Sequence, residues 1–136
     1  MANILIVDDE EHIVTLMRFI LEKSGHTVSA AGNGQEALRA LGVDPADAAA
    51  ALPDLVVLDV MMPIMDGYTA AIAIRNCPRT ASLPILVLTA RGDMRQIFEA
   101  VPSVAGFFEK PFDPRELREA IARITTEKGT LGPAAA

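Results

Sequence analysis

The chain has 136 residues, 51% of them hydrophobic and 22% charged, with a formal net charge of −6. That length suits a single domain whose core needs neither disulfides nor structural metal, and the composition excludes wholesale disorder. The acidic balance, without any basic stripe interleaved with aromatics, argues against direct nucleic-acid binding through phosphate neutralisation.

Asn3-Ile4-Leu5-Ile6-Val7 reads as a strand buried on both faces, ending on Asp8-Asp9. From Glu10 the spacing turns helical, with Ile13, Leu16, Met17 and Ile20 on one face. Gly25 stops that helix, and Lys23 in its last turn favours the dipole. Asp9, Glu10 and Glu11 suit the helix N-terminus as well as they suit any chemistry. Thr27 to Ala31 predicts a more polar strand near a sheet edge. Asn33, with Glu36 three residues on, makes a capping-box pattern opening a second helix that buries Ala37, Leu38 and Leu41. Residues 42–52 hold a helix end, a turn at Asp44-Pro45 and room for an extra helical turn, with no legible chemistry.

Leu55 to Leu58 predicts a buried central strand that stops on Asp59. After a Met-Pro turn, Asp66 caps a third helix through Tyr68, Ala71, Ile72 and Arg75 that ends before Pro78. Pro84 to Thr89 is another buried strand, Ala90 to Val101 a fourth helix shortened by Gly92 and Pro102, and Gly106 to Lys110 a fifth strand. Asp113 as N-cap, Pro114 at the first helical position, and Leu117, Ala120, Ile121 and Ile124 define a closing helix. Residues 129–136 are small and predict a flexible tail behind a domain spanning 1–128. Five strands alternating with five helices require an α/β fold, a parallel sheet covered on both faces.

The apolar runs are too short to cross a bilayer, and Met1-Ala2-Asn3-Ile4 lacks a basic leader, which predicts a cytoplasmic protein with no membrane role. Cys77 is the only cysteine, so no intrachain disulfide or multi-thiolate metal site can form; beside Pro78 it reads as an inert loop residue. His12 and His26 read as solvent-exposed, and Met61, Met62 and Met65 as turn and core packing. Gly32-Asn33-Gly34-Gln35-Glu36-Ala37 fits a loose dinucleotide-binding pattern. It follows the second strand, however, and Glu36 would repel a pyrophosphate, so turn and capping chemistry explain it.

Taken alone, Asp59 either terminates its strand or carries chemistry. In a parallel sheet all strand ends lie on one edge, so Asp8, Asp9, Asp59, Thr89 and Lys110 converge there, where open α/β sheets hold their ligands. Two carboxylates about 4 Å apart repel by roughly 4 kcal/mol at an effective dielectric near 20, so three together call for a cation. An all-oxygen set without histidine or thiolate suits a hard ion, Mg2+, that keeps open positions for phosphate oxygens. Lys110 and Thr89 then offer an ammonium and a hydroxyl to a phosphoryl group, and Asp59 is the nucleophile.

Asp8-Asp9, the run Asp59 to Gly67 (Asp-Val-Met-Met-Pro-Ile-Met-Asp-Gly), Thr89-Ala90 and Lys110-Pro111-Phe112, in this order and spacing, resemble the receiver domain of two-component response regulators. The resemblance covers residues 3 to 125 and implies a flavodoxin-like three-layer sandwich with strand order 2-1-3-4-5. It implies that Asp59 is the phosphoacceptor, charged by a histidine kinase or a histidine phosphotransfer protein. Asp9, Asp59 and the backbone carbonyl of Met61 would hold Mg2+, with Asp8 reaching it largely through water. Thr89 and Lys110 would bind the phosphoryl group, the Lys110-Pro111 bond would be cis, and Thr89 with Phe107 would form the switch. Met61 and Arg91 fall at the two positions flanking the water that hydrolyses the acyl phosphate; a thioether cannot hydrogen-bond that water, which predicts slow autodephosphorylation.

Two other function classes compete. An aspartyl-nucleophile hydrolase needs a general acid two residues after the nucleophile, where this chain has Met61. A phosphorylation-independent interaction module would have no use for the intact acid set. The downstream protein target, and whether the domain works as a monomer or a phosphorylation-dependent dimer, are left open by the sequence.

Overall fold

The computed structural model describes residues 2–135, with side chains through residue 126. Strands β1 (Asn3–Val7), β2 (Thr27–Ala31), β3 (Leu55–Leu58), β4 (Ile85–Thr89) and β5 (Val104–Glu109) form one parallel sheet in the order β2-β1-β3-β4-β5. Between and after them run α1 (Glu11–Lys23), α2 (Gly34–Ala40), α3 (Gly67–Asn76), α4 (Arg95–Glu99) and α5 (Pro114–Ala135). This is the doubly wound, flavodoxin-like sandwich expected.

The two faces of the sheet build two cores with the two-residue period of a pleated strand. Leu5, Val7, Val56, Leu58, Ile85 and Val87 point to the side covered by α2, α3 and α4, where Ala37, Ala71, Ile74 and Phe98 meet them. Ile4, Ile6, Leu55, Val57, Leu86 and Leu88 point to the side covered by α1 and α5, against Met17, Leu21, Leu117 and Ile121. Burial on both faces is why these strands read as unbroken apolar runs. β2, at the edge, buries only Val28 and Ala31.

Several elements depart from expectation for reasons of packing. α1 buries Met17, Ile20 and Leu21, which leaves Leu16 exposed together with Phe19. α3 turns Gly67, Ala70, Ala71 and Ile74 to the sheet, small residues that bring its axis close, while Ile72 is only half-buried and Arg75 is exposed. The fourth helix is reduced to a 3-10 turn at Gly92–Met94 and the five residues of α4, and β5 starts at Val104, earlier than its Gly106.

No helical turn forms in 42–52. Gly42 at φ 71° opens a loop around a cis Asp44-Pro45 bond, and the Arg79 guanidinium donates to the carbonyls of Leu41 (3.1 Å) and Ala50 (2.7 Å). His26 is half-buried: its Nδ1 accepts the Ala2 N–H at 3.2 Å, and burial, then the charged amino terminus, lowers its pKa. α5 is assigned through Ala135, across most of the stretch expected to be a flexible tail, whose side chains lie outside the described residues.

Candidate functional site

The backbone ladder sets the spacing of the site. Val7 pairs with Leu58, and the Asp59 N–H donates to Val7 O at 2.9 Å, so the next residues along, Asp8 and Asp59, stand side by side at the sheet's carboxyl edge. On the other flank Thr89 pairs with Glu109, and the Lys110 N–H donates to Thr89 O at 2.7 Å. The Lys110-Pro111 bond is cis, as expected. Gly67 packs its Cα directly over the Asp59 carbonyl, and a Cβ there would also meet Val60 Cα at 2.8 Å; only glycine allows α3 to start this close to the acid.

Lys110 is the hub. Its Nζ lies 2.9 Å from Asp8 Oδ2, 2.9 Å from Glu10 Oε1 and 3.8 Å from Asp59 Oδ2. Asp8 is 3% exposed, Asp59 4% and Thr89 0%. Asp59 Oδ1 accepts the Val60 N–H at 2.8 Å, and Asp8 Oδ1 accepts the Glu10 N–H at 2.9 Å. Burial, then the neighbouring Asp8 charge, pushes the Asp59 carboxyl up to about 6 against the pull of Lys110. Burial, the largest single effect, would lower Lys110, but its hydrogen bonds to Asp8 and Glu10 and the charges of Asp59 and Asp8 together move it up. A carboxyl so perturbed beside a largely covered ammonium is the pattern of a functional site.

The acidic cluster is Asp8, Glu10 and Asp59, whose ligand atoms all fall within 4.8 Å of one another. Such a set of carboxylate oxygens, with no nitrogen or sulfur donor, fits a hard divalent cation. Asp9 is exposed and outside this cluster, while Glu10, which the sequence offered only as a helix-start residue, turns back to Lys110 in preference to capping α1. Lys110 draws its carboxyl below the usual range. The only sequence signal for Glu10 is its place directly after Asp8-Asp9.

The remaining candidates are placed as follows. Met61 is 54% exposed beside Asp59. Ile64 is held at φ 70° and is 77% exposed, the Met65 N–H donating to Pro63 O at 2.7 Å across it. Arg91 spends its guanidinium on Asp93, through bonds of 2.9 and 2.7 Å, and does not reach Asp59; its N–H donates to Thr89 Oγ1 at 3.2 Å. Phe107 has Phe98 6.1 Å away between centroids and the Arg95 guanidinium 4.8 Å from its ring centroid. His12 is exposed, and at the start of α2 the Glu36 carboxylate accepts the Gly32 N–H, filling the place a pyrophosphate would need. The Cys77 thiol is half-buried, and the Arg79 backbone N–H is the main cause lowering its pKa.

The sequence matches the response regulator receiver domain family over residues 4–122. The chain belongs to that family. Among curated proteins, this receiver domain is 36% identical over 132 residues to the alkaline phosphatase synthesis transcriptional regulatory protein PhoP of Bacillus subtilis, covering 96% of this chain and 51% of PhoP. It is 37% identical over 125 residues to the DNA-binding master regulator RpaA of Synechocystis, covering 91% and 48%. The chain therefore spans about half the length of these relatives. Among solved structures, the Vibrio cholerae chemotaxis protein CheY4 superposes with a TM-score of 0.77 at 32% identity, covering 91% of this chain and 98% of that one. The Thermotoga maritima response regulator TrrA, solved with Mg2+ and BeF, gives 0.76 at 31% identity, covering 91% and 99%. Among the described residues no helix is long and apolar enough to cross a membrane.

Proposed function

We propose that this receiver domain is a phosphorylation-activated switch in which Asp59 takes a phosphoryl group from the phosphohistidine of a histidine kinase or histidine phosphotransfer protein. The observation that supports the reading is the pair of buried carboxylates, Asp8 and Asp59, at adjoining strand ends with the Lys110 ammonium against both, and the buried Thr89 at the end of the next strand. With its carboxyl near 6, Asp59 is mostly ionised at neutral pH and competent as a nucleophile. A P–O bond forms to Asp59 as the P–N bond to the donor breaks, and the electron pair leaves on the imidazole nitrogen. Lys110, 3.8 Å from Asp59 Oδ2, and the Thr89 hydroxyl are the groups that receive the new phosphoryl oxygens.

Asp8 and Asp59, with the adjoining Glu10, form the cluster that would hold Mg2+, and the family resemblance adds Asp9, exposed and outside that cluster, and the main-chain carbonyl of Met61. When bound, the ion supplies positive charge that offsets the carboxylates and the transferring phosphoryl group. Met61 offers no general acid for turnover, so the domain assists its own phosphorylation and dephosphorylation and is not an independent hydrolase. Thr89 moving to the phosphoryl group and Phe107 repacking behind it transmit the event to a protein target in the cytoplasm. The net charge of −6 weighs against nucleic-acid contact by this domain itself.

The test is incubation with acetyl phosphate and Mg2+ followed by intact mass measurement. A gain of one phosphoryl group that disappears with EDTA and in Asp59→Ala is expected; an unlabelled wild type, or a labelled Asp59→Ala, would sink the assignment.

A further inference from the structure

Arg95, at the start of α4, contacts Phe107. Two separate contacts join them: the guanidinium lies 4.8 Å from the centroid of the Phe107 ring, and its Nη2 donates to the Phe107 carbonyl at 3.2 Å. The ring also neighbours Phe98, which is 1% exposed and in turn makes an edge contact with Tyr68 at 5.5 Å. Phe107 thus neighbours a buried aromatic and a cation that touches both its side chain and its main chain.

Arg95 also closes the segment that begins at Thr89. Thr89 Oγ1 accepts the Arg91 N–H at 3.2 Å, the 3-10 turn at Gly92–Met94 follows, and α4 starts at Arg95. Gly92 of that turn lies against the Glu109 side chain of β5. The two ends of one short segment therefore touch the two proposed switch residues, Thr89 at one end and Phe107 at the other. A hydroxyl drawn away toward a phosphoryl group gives up its bond to the Arg91 N–H and loosens the turn that positions Arg95.

We propose that Arg95 is a positioning residue which clamps Phe107 in the unphosphorylated domain, so that release of this clamp is a step in switching. The proposal rests on the reading of Asp59 as phosphoacceptor and of Thr89 and Phe107 as switch residues. Phenylalanine at 107 has no hydroxyl with which to fix its own orientation, so the fixing falls to a neighbour, and a flat guanidinium can stack on the ring while donating to the carbonyl. Lysine carries the charge without the fork.

The experiment compares wild type, Arg95→Ala and Arg95→Lys. Aromatic NMR of the protein without phosphodonor follows the Phe107 ring, and calorimetric titration with beryllofluoride in Mg2+ follows the activated state. Loss of one exposed cation–π contact and one hydrogen bond should shift the ring's resting equilibrium, and tighten beryllofluoride binding, by about five-fold in Arg95→Ala. Arg95→Lys should fall between the two. Unaltered Phe107 signals with unaltered beryllofluoride affinity would overturn the clamp, as would weaker binding in Arg95→Ala, because a purely structural arginine alters stability and neither of these readouts. Should wild type fail to bind beryllofluoride, the phosphoacceptor reading fails, while the Phe107 signals of the unliganded variants still decide the clamp.

Discussion

Asp59 is held in a place that costs the fold stability, and replacing it with asparagine should make the domain more stable. The carboxyl rises from 3.8 to about 6 because it is buried and faces Asp8. At about 1.36 kcal/mol per pH unit that rise is worth about 3 kcal/mol against the folded state at pH 7. The direction is the reverse of the usual carboxylate. Below about pH 4 Asp59 is protonated whether the chain is folded or unfolded and exerts no penalty. Between about 4 and 6 the unfolded chain ionises first, and stability falls as pH rises; above about 6 the whole penalty is present. Asparagine is nearly isosteric and its Oδ1 can still accept the Val60 N–H. Urea unfolding in EDTA should therefore show Asp59→Asn with a midpoint roughly 1–3 M above wild type at pH 7.5, given slopes of about 1–3 kcal/mol/M. The gap should narrow as pH falls toward 4. Mg2+ should raise the wild-type midpoint far more than the variant's, since it offsets the same charge. An Asp59→Asn protein less stable than wild type at pH 7.5, or a gap independent of pH, would refute the electrostatic account of this pocket.

Two further outcomes follow from the loop after β3. Met61→Asn places an amide able to orient a water beside Asp59 and should shorten the phosphoryl lifetime several-fold, on the order of 1 kcal/mol of barrier; an unchanged decay of the labelled protein would count against Met61 as the slow element. Ile64 is β-branched and held at φ 70°, a conformation that costs of order 1 kcal/mol or more and that asparagine tolerates far better. Ile64→Asn should raise the urea midpoint measurably, and a lowered midpoint would show that the exposed isoleucine side chain supplies packing that outweighs the strain.

Much of the site was legible before any coordinates because its members are all local events at strand ends. Leu55 to Leu58 stops on Asp59, Ile4 to Val7 on Asp8, Ile85 to Leu88 on Thr89, and in each case an apolar run buried on both faces must end where the chain leaves the sheet. Parallel topology then carries those ends to one edge without further information, whereas the order of the strands came only with the family resemblance. The helix caps Asn33 and Asp66 were readable for the same reason, each accepting an N–H only three residues away.

What only the tertiary structure decided are the choices among distant partners. Asp9 and Glu10 are neighbours of one charge on one turn, and it takes the position of Lys110, one hundred residues away from Glu10, to select Glu10 for the ion pair. The helical faces of α1 and α3 depended on where the sheet's side chains left room, which is why Leu16 lies outward and Ala70 and Ile74 inward. Arg95 over Phe107 left no trace in sequence spacing, because α4 is too short to show a period. Backbone patterns are written in neighbouring residues; which charged or aromatic side chain meets which is written in distances that exist only once the sheet has assembled.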